Sequence, residues 1–356
     1  MNGSGSGGGP RPSPVYSNPA ASGPTPSGPA PSGPGGHRPS RLRRAWRAVT
    51  AGDVDLTARV GSVVLPNPVM TASGTAGHGD ELAAYLPLSS VGAVVAKSLS
   101  TGPWPGNPAP RVHQTPSGML NSVGLQGPGV AAWVAHDLPR LRAAGARVVV
   151  SIWGRRVEEF ASAAALLAGV DGLVAIEVNV SCPNVEDRRR MFAHSPETTA
   201  EVLRAVGAES SLPLWAKLSP NVADLAEIAA AAEAAGAEAV TLVNTVLGMA
   251  VDIERRRPVL GGGGGGLSGA AIHPVAVRAV WDVRAALPSL PIIGVGGVMT
   301  GEDAVELVMA GADAVQVGTA TFRDPRAPVR ILGQMERWCA RHGVRSIDEL
   351  RGVAHG

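Results

Sequence analysis

Short apolar runs alternate with alanine-rich stretches from about residue 56 to the end of the chain, and this repeat restricts the fold more than any other feature. Each apolar run is rich in Val, Ile, Leu and Ala and lacks the polar alternation of a half-buried strand, so it predicts a strand covered on both faces. Eight such strands are predicted, at Pro68–Ala72, Ala93–Lys97, Arg147–Ile152, Gly172–Asn179, Pro213–Leu218, Ala239–Asn244, Pro291–Val295 and Ala314–Val317.

A helix is predicted after each strand, and eight successive strand–helix units predict an α/β fold, the (β/α)8 TIM barrel, over residues 53–356. A doubly wound sheet is the alternative. Because aromatic residues make up only 3% of the chain, the core is predicted to consist of Ala, Val and Leu. The predicted helices cover about 79–86, 130–143, 156–168, 197–206, 222–235, 270–286, 301–310 and 326–342.

The first 52 residues differ in composition from the rest of the chain. Of the first 40 residues, 28 are Gly, Pro or Ser, which predicts a disordered tail. The segment 41–49 could form a short basic helix, but it has few apolar side chains to insert into a membrane. The tail holds six arginines and no acid, so the remaining 25 basic and 29 acidic residues give the body a net charge of −4 and no reason to bind nucleic acid.

Two further absences narrow the class of protein. No apolar run approaches the ~20 residues that cross a bilayer, and no apolar signal segment opens the chain, so a cytoplasmic protein without a membrane span is expected. Two cysteines are too few for a disulfide scaffold, a four-cysteine zinc site or a cysteine-ligated iron–sulfur cluster. No metal site is predicted.

Lysine is almost absent from this chain. Among 31 lysines and arginines, only Lys97 and Lys217 are lysines, and both lie at or near the end of a predicted strand. A chain so rich in arginine is expected to keep lysine where a compact, flexible ammonium is needed. Both are therefore predicted to belong to a site, with chance retention on the surface as the alternative.

Four asparagines, Asn121, Asn179, Asn184 and Asn244, follow predicted strands on one rim of the barrel. Their amides combine donors with an acceptor, which suits a planar, uncharged ring that carries carbonyl and N–H groups. Loop capping is the alternative. Cys182 lies between two of them, and this position after a strand favours a nucleophile or general base over a small buried side chain.

Glycines follow the last two predicted strands, in Gly294–Gly297 and Gly318–Thr319. These two loops of a TIM barrel often bind phosphate through backbone N–H groups and a helix N-terminus, which the helix beginning near residue 300 would supply. Cys339, on the last predicted helix, is expected to pack in the core. The six consecutive glycines Gly261–Gly266 predict a flexible loop.

Eight segments form a specific set in this order: Asn67–Gly74, Pro105–Pro108, Gly118–Leu125, Ser181–Val185, Lys217–Val222, Asn244–Ala250, Gly266–Gly269 and Val317–Ala320. Together they resemble the class 1 dihydroorotate dehydrogenases, and most of all the class 1B catalytic subunit, over about residues 55–345. The resemblance implies FMN-dependent oxidation of (S)-dihydroorotate to orotate in de novo pyrimidine biosynthesis. It implies that Cys182 removes the C5 proton while hydride passes from C6 to flavin N5.

The resemblance also implies which residues bind substrate and cofactor. Lys97 is implied as a catalytic residue beside Cys182. Substrate contacts are implied for Lys97, Asn121, Ser122, Val123, Gly124, Leu125, Asn179, Asn244 and Thr245. FMN contacts are implied for Ser73, Lys97, Ser98, Ser151, Asn179, Lys217, Val243, Gly269, Gly296, Gly297, Gly318 and Thr319.

The chain departs from the family pattern at several places. Ser151 stands where the family usually has Asn, and the charged segment Glu186–Phe192 replaces a loop that usually carries glycines. The glycine run and the long tail are also unusual. These departures leave two alternatives open: a related FMN barrel that acts on another pyrimidine-like ring, and a non-catalytic flavin-binding subunit.

Class 1B enzymes pass electrons to NAD⁺ through a second subunit that carries FAD and a [2Fe–2S] cluster. This chain has too few cysteines for that cluster, so the resemblance implies a separate electron-transfer subunit. A homodimer or a heterotetramer is expected. Class 1A enzymes reduce fumarate instead. Cys182 argues against class 2, whose members use a serine base and reduce membrane quinone.

Overall fold

Eight parallel strands form a closed barrel in the computed structural model, which describes residues 50–181 and 191–356. Each strand pairs with its neighbour along the chain, the last pairs with the first, and a parallel bridge between Met70 and Ala93 joins the first two strands and closes the ring. The predicted TIM barrel is confirmed. The strands are β1 Val69–Thr71, β2 Val94–Val95, β3 Val148–Ile152, β4 Leu173–Asn179, β5 Leu214–Lys217, β6 Ala239–Leu242, β7 Ile292–Val295 and β8 Ala314–Val317.

Helices follow the strands from β2 onward, and they lie close to their predicted positions. The exception is the helix predicted at 79–86, which is a single 3-10 turn, Glu81–Ala84. Gly79 before it and Pro87 after it leave too few residues for a longer helix. The α-helices are α1 Val130–Ala143, α2 Val157–Ala165, α3 Pro196–Glu209, α4 Leu225–Ala234, α5 His273–Ala286, α6 Gly301–Ala310, α7 Ala320–Arg323 and α8 Ala327–Arg341.

Several single 3-10 turns connect these elements. The turns lie at Ala51–Asp53, Leu88–Ser90, Phe192–His194, Ala270–Ile272, Ile347–Glu349 and Val353–His355.

No helix in the described ranges is long and apolar enough to cross a membrane.

The interior of the barrel is apolar at one end and polar at the other. Met70, Trp215 and Ile293 pack together at the N-terminal end of the strands. A hairpin of Ala58–Val60 and Val63–Leu65 closes this end with buried Val60 and Leu65 side chains. Because this half is filled by hydrocarbon, the polar residues of the strands are collected at the opposite, C-terminal end.

A four-stranded antiparallel sheet lies among the loops that follow β2 and β6, and the sequence did not predict it. The prediction of a flexible loop at Gly261–Gly266 is wrong at its end, since Gly265 and Gly266 belong to one of these strands. A Cβ at Gly265 would lie 2.4 Å from the Asn121 carbonyl oxygen, so glycine permits close strand packing here. The strands are Val112–Thr115, Gly118–Asn121, Val246–Gly248 and Gly265–Ser268; a further pair, Val251–Asp252 and Arg257–Pro258, lies nearby.

Candidate active site

A cavity of about 320 Å³ lies at the C-terminal ends of the barrel strands, where TIM-barrel enzymes place their active sites. Its volume is typical of a small-molecule site, roughly 300–1,000 Å³. The structure brings nearly all the predicted site residues together in its wall. These are Ser73, Lys97, Ser98, Asn121, Ser122, Val123, Gly124, Leu125, Asn179, Lys217, Val243, Asn244, Thr245, Gly269, Gly296, Gly297, Gly318 and Thr319.

Three predicted residues are not in that wall. Cys182 and Asn184 lie outside the described residues, although Ser181, the neighbour of Cys182, lines the cavity. Ser151 is fully buried behind Ser98, and the hydroxyl oxygens of the two serines are 2.9 Å apart. In this structure Ser151 therefore supports a cavity residue and does not face the cavity itself.

A chain of hydroxyl and amide groups fixes one side of the cavity. The Ser98 hydroxyl lies 3.1 Å from that of Ser73 and accepts a hydrogen bond of 3.1 Å from the Asn179 amide. Asn244 in turn donates to the Asn179 amide oxygen over 3.3 Å, and its own oxygen accepts from the Thr245 N–H over 2.8 Å. Because each amide is held by a neighbour, this wall presents donors and acceptors in fixed positions.

Lys97 and its surroundings supply positive charge at the cavity wall. Burial lowers the pKa of the Lys97 ammonium, and the nearby Arg111 guanidinium lowers it further. The pKa of His78 is also lowered, chiefly by burial and then by the Lys97 charge. Lys97 is therefore a partly desolvated cation, which strengthens its attraction for an anionic group that enters the cavity.

Lys217 rests on a buried carboxylate that sequence reasoning did not single out. Its Nζ lies 3.6 Å from Glu177 Oε1, and both side chains are almost fully buried. Gln316 and Thr241 donate to the other carboxylate oxygen, over 2.7 and 3.3 Å. A signal for Glu177 was present, because it is the only charged residue in the strand Leu173–Asn179.

The loops after β7 and β8 form a cradle of free backbone donors. Gly296 and Gly297 have φ angles of 140° and 69°, which favour glycine. Within the described part of the chain, no acceptor takes the N–H of Gly297 or that of Thr319. Two donors at one end of the cavity, with no acceptor of their own, suit an anion such as phosphate.

The N-terminus of α6 does not complete this cradle as the sequence suggested. A capping box joins Thr300 and Asp303, and the Asp303 carboxylate accepts the N–H groups of Met299 and Thr300 over 2.9 and 2.8 Å. These N–H groups are therefore already occupied, because the helix carries its own acid at this position.

Several lining residues were missed by sequence reasoning. Ser268 accepts a 2.8 Å hydrogen bond from the Thr319 hydroxyl, and its place in the segment Gly266–Gly269 was a usable signal. Ile272, Met299 and Phe322 add apolar wall but have no distinguishing sequence pattern. Cys339 is buried as predicted, and burial raises the pKa of its thiol to about 11.

A TIM barrel whose strand ends carry cations, amides and free backbone donors has the features of a small-molecule enzyme. The family model described as dihydroorotate dehydrogenase matches residues 55–338. The chain therefore belongs to the dihydroorotate dehydrogenase family, a family of oxidoreductases, and the sequence resemblance is confirmed.

Curated relatives carry a more specific name. A protein of Geobacter sp. (strain M21) named dihydroorotate dehydrogenase B (NAD(+)), catalytic subunit, is 49% identical over 299 residues, which cover 84% of this chain and 98% of the relative. A protein of the same name from Desulforudis audaxviator is 50% identical over 302 residues, with 85% and 98% covered. The likeness to class 1B catalytic subunits is thus confirmed.

Proposed function

We propose that this chain oxidises (S)-dihydroorotate to orotate with FMN bound in the cavity, as a step of pyrimidine biosynthesis. One observation supports this above all: a single cavity combines free backbone donors at one end with a desolvated lysine and fixed amides. The first feature suits a cofactor phosphate, and the second suits a ring that bears a carboxylate. Membership of the family gives independent support.

The residues present fit FMN. The N–H groups of Gly297 and Thr319, which have no acceptor within the described residues, would hold the phosphate, and Gly269, Gly296 and Gly318 line the same cavity. Lys217 would lie near the ring, where its positive charge stabilises negative charge gained on reduction. Bound FMN supplies the hydride acceptor for this chemistry.

The substrate ring would be held by Lys97 and the amides. The Lys97 ammonium would pair with the orotate carboxylate, and Asn121, Asn179 and Asn244 would match the carbonyl and N–H groups of the pyrimidine. The Asn179–Asn244 hydrogen bond orients both amides before substrate arrives. Such preorganisation lowers the cost of binding.

Cys182 is proposed as the base that takes the C5 proton while a hydride leaves C6. The residue before it in the chain, Ser181, lines the cavity and is anchored twice: its N–H donates to the Asn179 amide oxygen and its hydroxyl to the Lys217 carbonyl. Cys182 therefore directly follows a fixed residue of the cavity wall. A thiolate at this place has the basicity that proton abstraction near neutral pH requires.

Electrons are proposed to leave through a separate subunit that carries FAD and a [2Fe–2S] cluster. The chain is proposed to form a homodimer or, with that subunit, a heterotetramer. Support comes from the curated relatives, whose name specifies a catalytic subunit and NAD(+). The two cysteines of this chain cannot ligate such a cluster themselves.

The deciding experiment is the visible spectrum of the purified chain before and after anaerobic addition of dihydroorotate. A flavin band near ~450 nm that bleaches with dihydroorotate is the expected result. A yellow protein that dihydroorotate does not bleach would be a binding subunit or an enzyme for another ring, and other dihydropyrimidines would separate these two. A colourless protein that takes up no FMN would contradict the proposal.

A further inference from the structure

We propose that His273 is a positioning residue that holds the Gly296–Gly297 peptide with its N–H facing the cavity, and so tunes affinity for the cofactor phosphate. This inference rests on the proposed function, because it concerns the phosphate end of the FMN site. His273 is the first residue of α5, and it belongs to none of the motifs that carry the family resemblance.

The hydrogen bond from His273 fixes the direction of one peptide unit. Its Nδ1 lies 2.9 Å from the Gly296 carbonyl oxygen, and since a carbonyl can only accept, Nδ1 must carry the proton. In a planar trans peptide the C=O and the following N–H point in opposite directions. The Gly297 N–H therefore points away from His273.

That direction leads to the cavity. Gly296 and Gly297 line the cavity, whereas His273 is not among its described lining residues and lies on the outer side of the loop. A group that pulls the Gly296 carbonyl outward therefore turns the Gly297 N–H inward. This N–H is one of the two donors of the cradle that have no acceptor within the described residues.

The other ring nitrogen ties the loop to helix α6. Nε2 of His273 lies 3.0 Å from Glu306 Oε2 and 3.9 Å from Asp303 Oδ1. The imidazole thus lies between a backbone carbonyl and two carboxylates. Asp303 also caps α6, so the histidine connects the glycine loop to a fixed helix end.

Glycine in this loop makes such an anchor necessary. Residues without a Cβ sample more backbone conformations than others, so an unanchored Gly-Gly peptide would lose entropy when it orders around a phosphate. A Cβ at Gly297 would lie 2.6 Å from the His273 Cβ, which shows how closely the two backbones approach. His273 fills the space that a side chain on the loop would need.

The test uses two substitutions that each keep one ring nitrogen's role. His273→Asn places an amide N–H where Nδ1 was and keeps the bond to Gly296, whereas His273→Gln places one near Nε2 and loses that bond. Affinity of the apoprotein is measured for FMN and for riboflavin, which has the same ring without the phosphate. His273→Gln should weaken FMN binding by about 3- to 10-fold, the usual effect of one hydrogen bond, and leave riboflavin affinity unchanged.

The matched controls separate positioning from general damage. His273→Asn should keep FMN affinity within about 3-fold of the parent, because the bond to Gly296 remains. His342→Gln is the control elsewhere, since His342 Nδ1 also contacts a carbonyl oxygen, that of Trp338, at 2.8 Å on the exposed side of α8. It should change neither affinity.

Two results would overturn the inference: parent-like FMN affinity in His273→Gln, or an equal loss for FMN and riboflavin. If His273→Gln does not fold, His273→Leu decides, because leucine fills a similar volume but offers no donor to the Gly296 carbonyl, so it should weaken FMN but not riboflavin binding. A parent chain that binds neither flavin would instead contradict the proposed function, so the two failures are distinguishable.

Discussion

At the residue scale, one buried ion pair, Lys217 with Glu177, lies inside the barrel next to the cavity. Glu177 is fully buried. Its Oε1 lies 3.6 Å from the Lys217 ammonium nitrogen, and its Oε2 accepts hydrogen bonds from Gln316 and Thr241. Breaking a buried pair leaves an uncompensated charge, which typically costs about 3–5 kcal/mol. The acid therefore holds the Lys217 side chain at the wall of the cavity that is proposed to receive the ring.

Replacing Cys182 with Ala should slow dihydroorotate-dependent flavin reduction by about 10²-fold or more, the usual contribution of a positioned base. Orotate affinity should remain, because Lys97 and the asparagines supply the ring contacts. Cys182→Ser should give an intermediate rate. Rapid-mixing measurement of flavin bleaching at pH 7 and 8.5 checks this.

The other cysteine supplies the control for that measurement. Burial raises the pKa of the Cys339 thiol to about 11, so at pH 8 only about one molecule in a thousand carries a thiolate there. Cys339→Ala should leave the reduction rate within a few-fold of the parent. A Cys182→Ala rate equally close to the parent would show that Cys182 only packs.

Orotate binding should weaken as pH rises into the alkaline range. The loss should begin below the pH at which an ordinary lysine titrates. Burial and Arg111 lower the pKa of Lys97, so its ammonium is lost as pH rises through that lowered value, and with it the pairing to the substrate carboxylate. Arg111→Gln removes the repelling charge and should move this loss to higher pH, while Arg111→Lys should not. Spectral titration of orotate from pH 7 to 10.5 measures the shift.

The lysine itself provides the limiting case. Lys97→Met should lower orotate affinity at pH 7 by about 10- to 100-fold, the range for a lost hydrogen bond to a charged group. This substitution should also remove the loss of orotate affinity at alkaline pH. An unchanged pH profile in Arg111→Gln would mean that Arg111 does not act on the Lys97 charge.

At the element scale, glycine permits close packing where its sequence pattern suggested mobility. The strand Gly265–Ser268 pairs with Gly118–Asn121 on one side and Val246–Gly248 on the other. Sequence periodicity could not identify this strand, because it begins with residues that have no side chains to alternate. The helix predicted at 79–86 is only the single turn Glu81–Ala84. The residues between Gly79 and Pro87 favour a helix by composition, but these two flanking residues limit its length.

Two glycines of the run should respond differently to alanine. A Cβ at Gly266 would lie 2.0 Å from the Thr245 hydroxyl, whereas one at Gly264 would meet only ordinary contacts at 3.5 Å and beyond. Gly266→Ala should therefore displace Thr245 and weaken orotate binding about 10-fold, with some loss of stability. Gly264→Ala should match the parent in both orotate titration and urea unfolding, and equal effects of the two substitutions would contradict the close approach of Gly266 to Thr245.

At the scale of the whole molecule, the barrel and most of the cavity were predictable because both follow from repetition. Eight apolar runs predicted eight strands, and the strand ends then placed Lys97, Asn179 and Lys217 on one rim. The pairing of Gly265–Ser268 with Gly118–Asn121 and the Ser98–Ser151 contact were not predictable, because each joins segments distant in sequence. The same holds for the His273 contact with Gly296, which joins the first residue of α5 to the loop after β7.

The tail offers a test of where this molecule's stability and activity reside. Deleting residues 1–50 should leave thermal stability and dihydroorotate-dependent flavin reduction close to the parent values. The reason is compositional, since a segment made mostly of Gly, Pro and Ser contributes little apolar surface to a core. The first residues of the barrel remain anchored without it: the Asp55 N–H donates to the Arg345 carbonyl, and the Ile347 N–H donates to the Asp55 carbonyl. An insoluble or inactive truncated chain would show that the tail stabilises the barrel. If deleting only residues 1–40 then left solubility and activity unchanged, that role would belong to the basic segment 41–49.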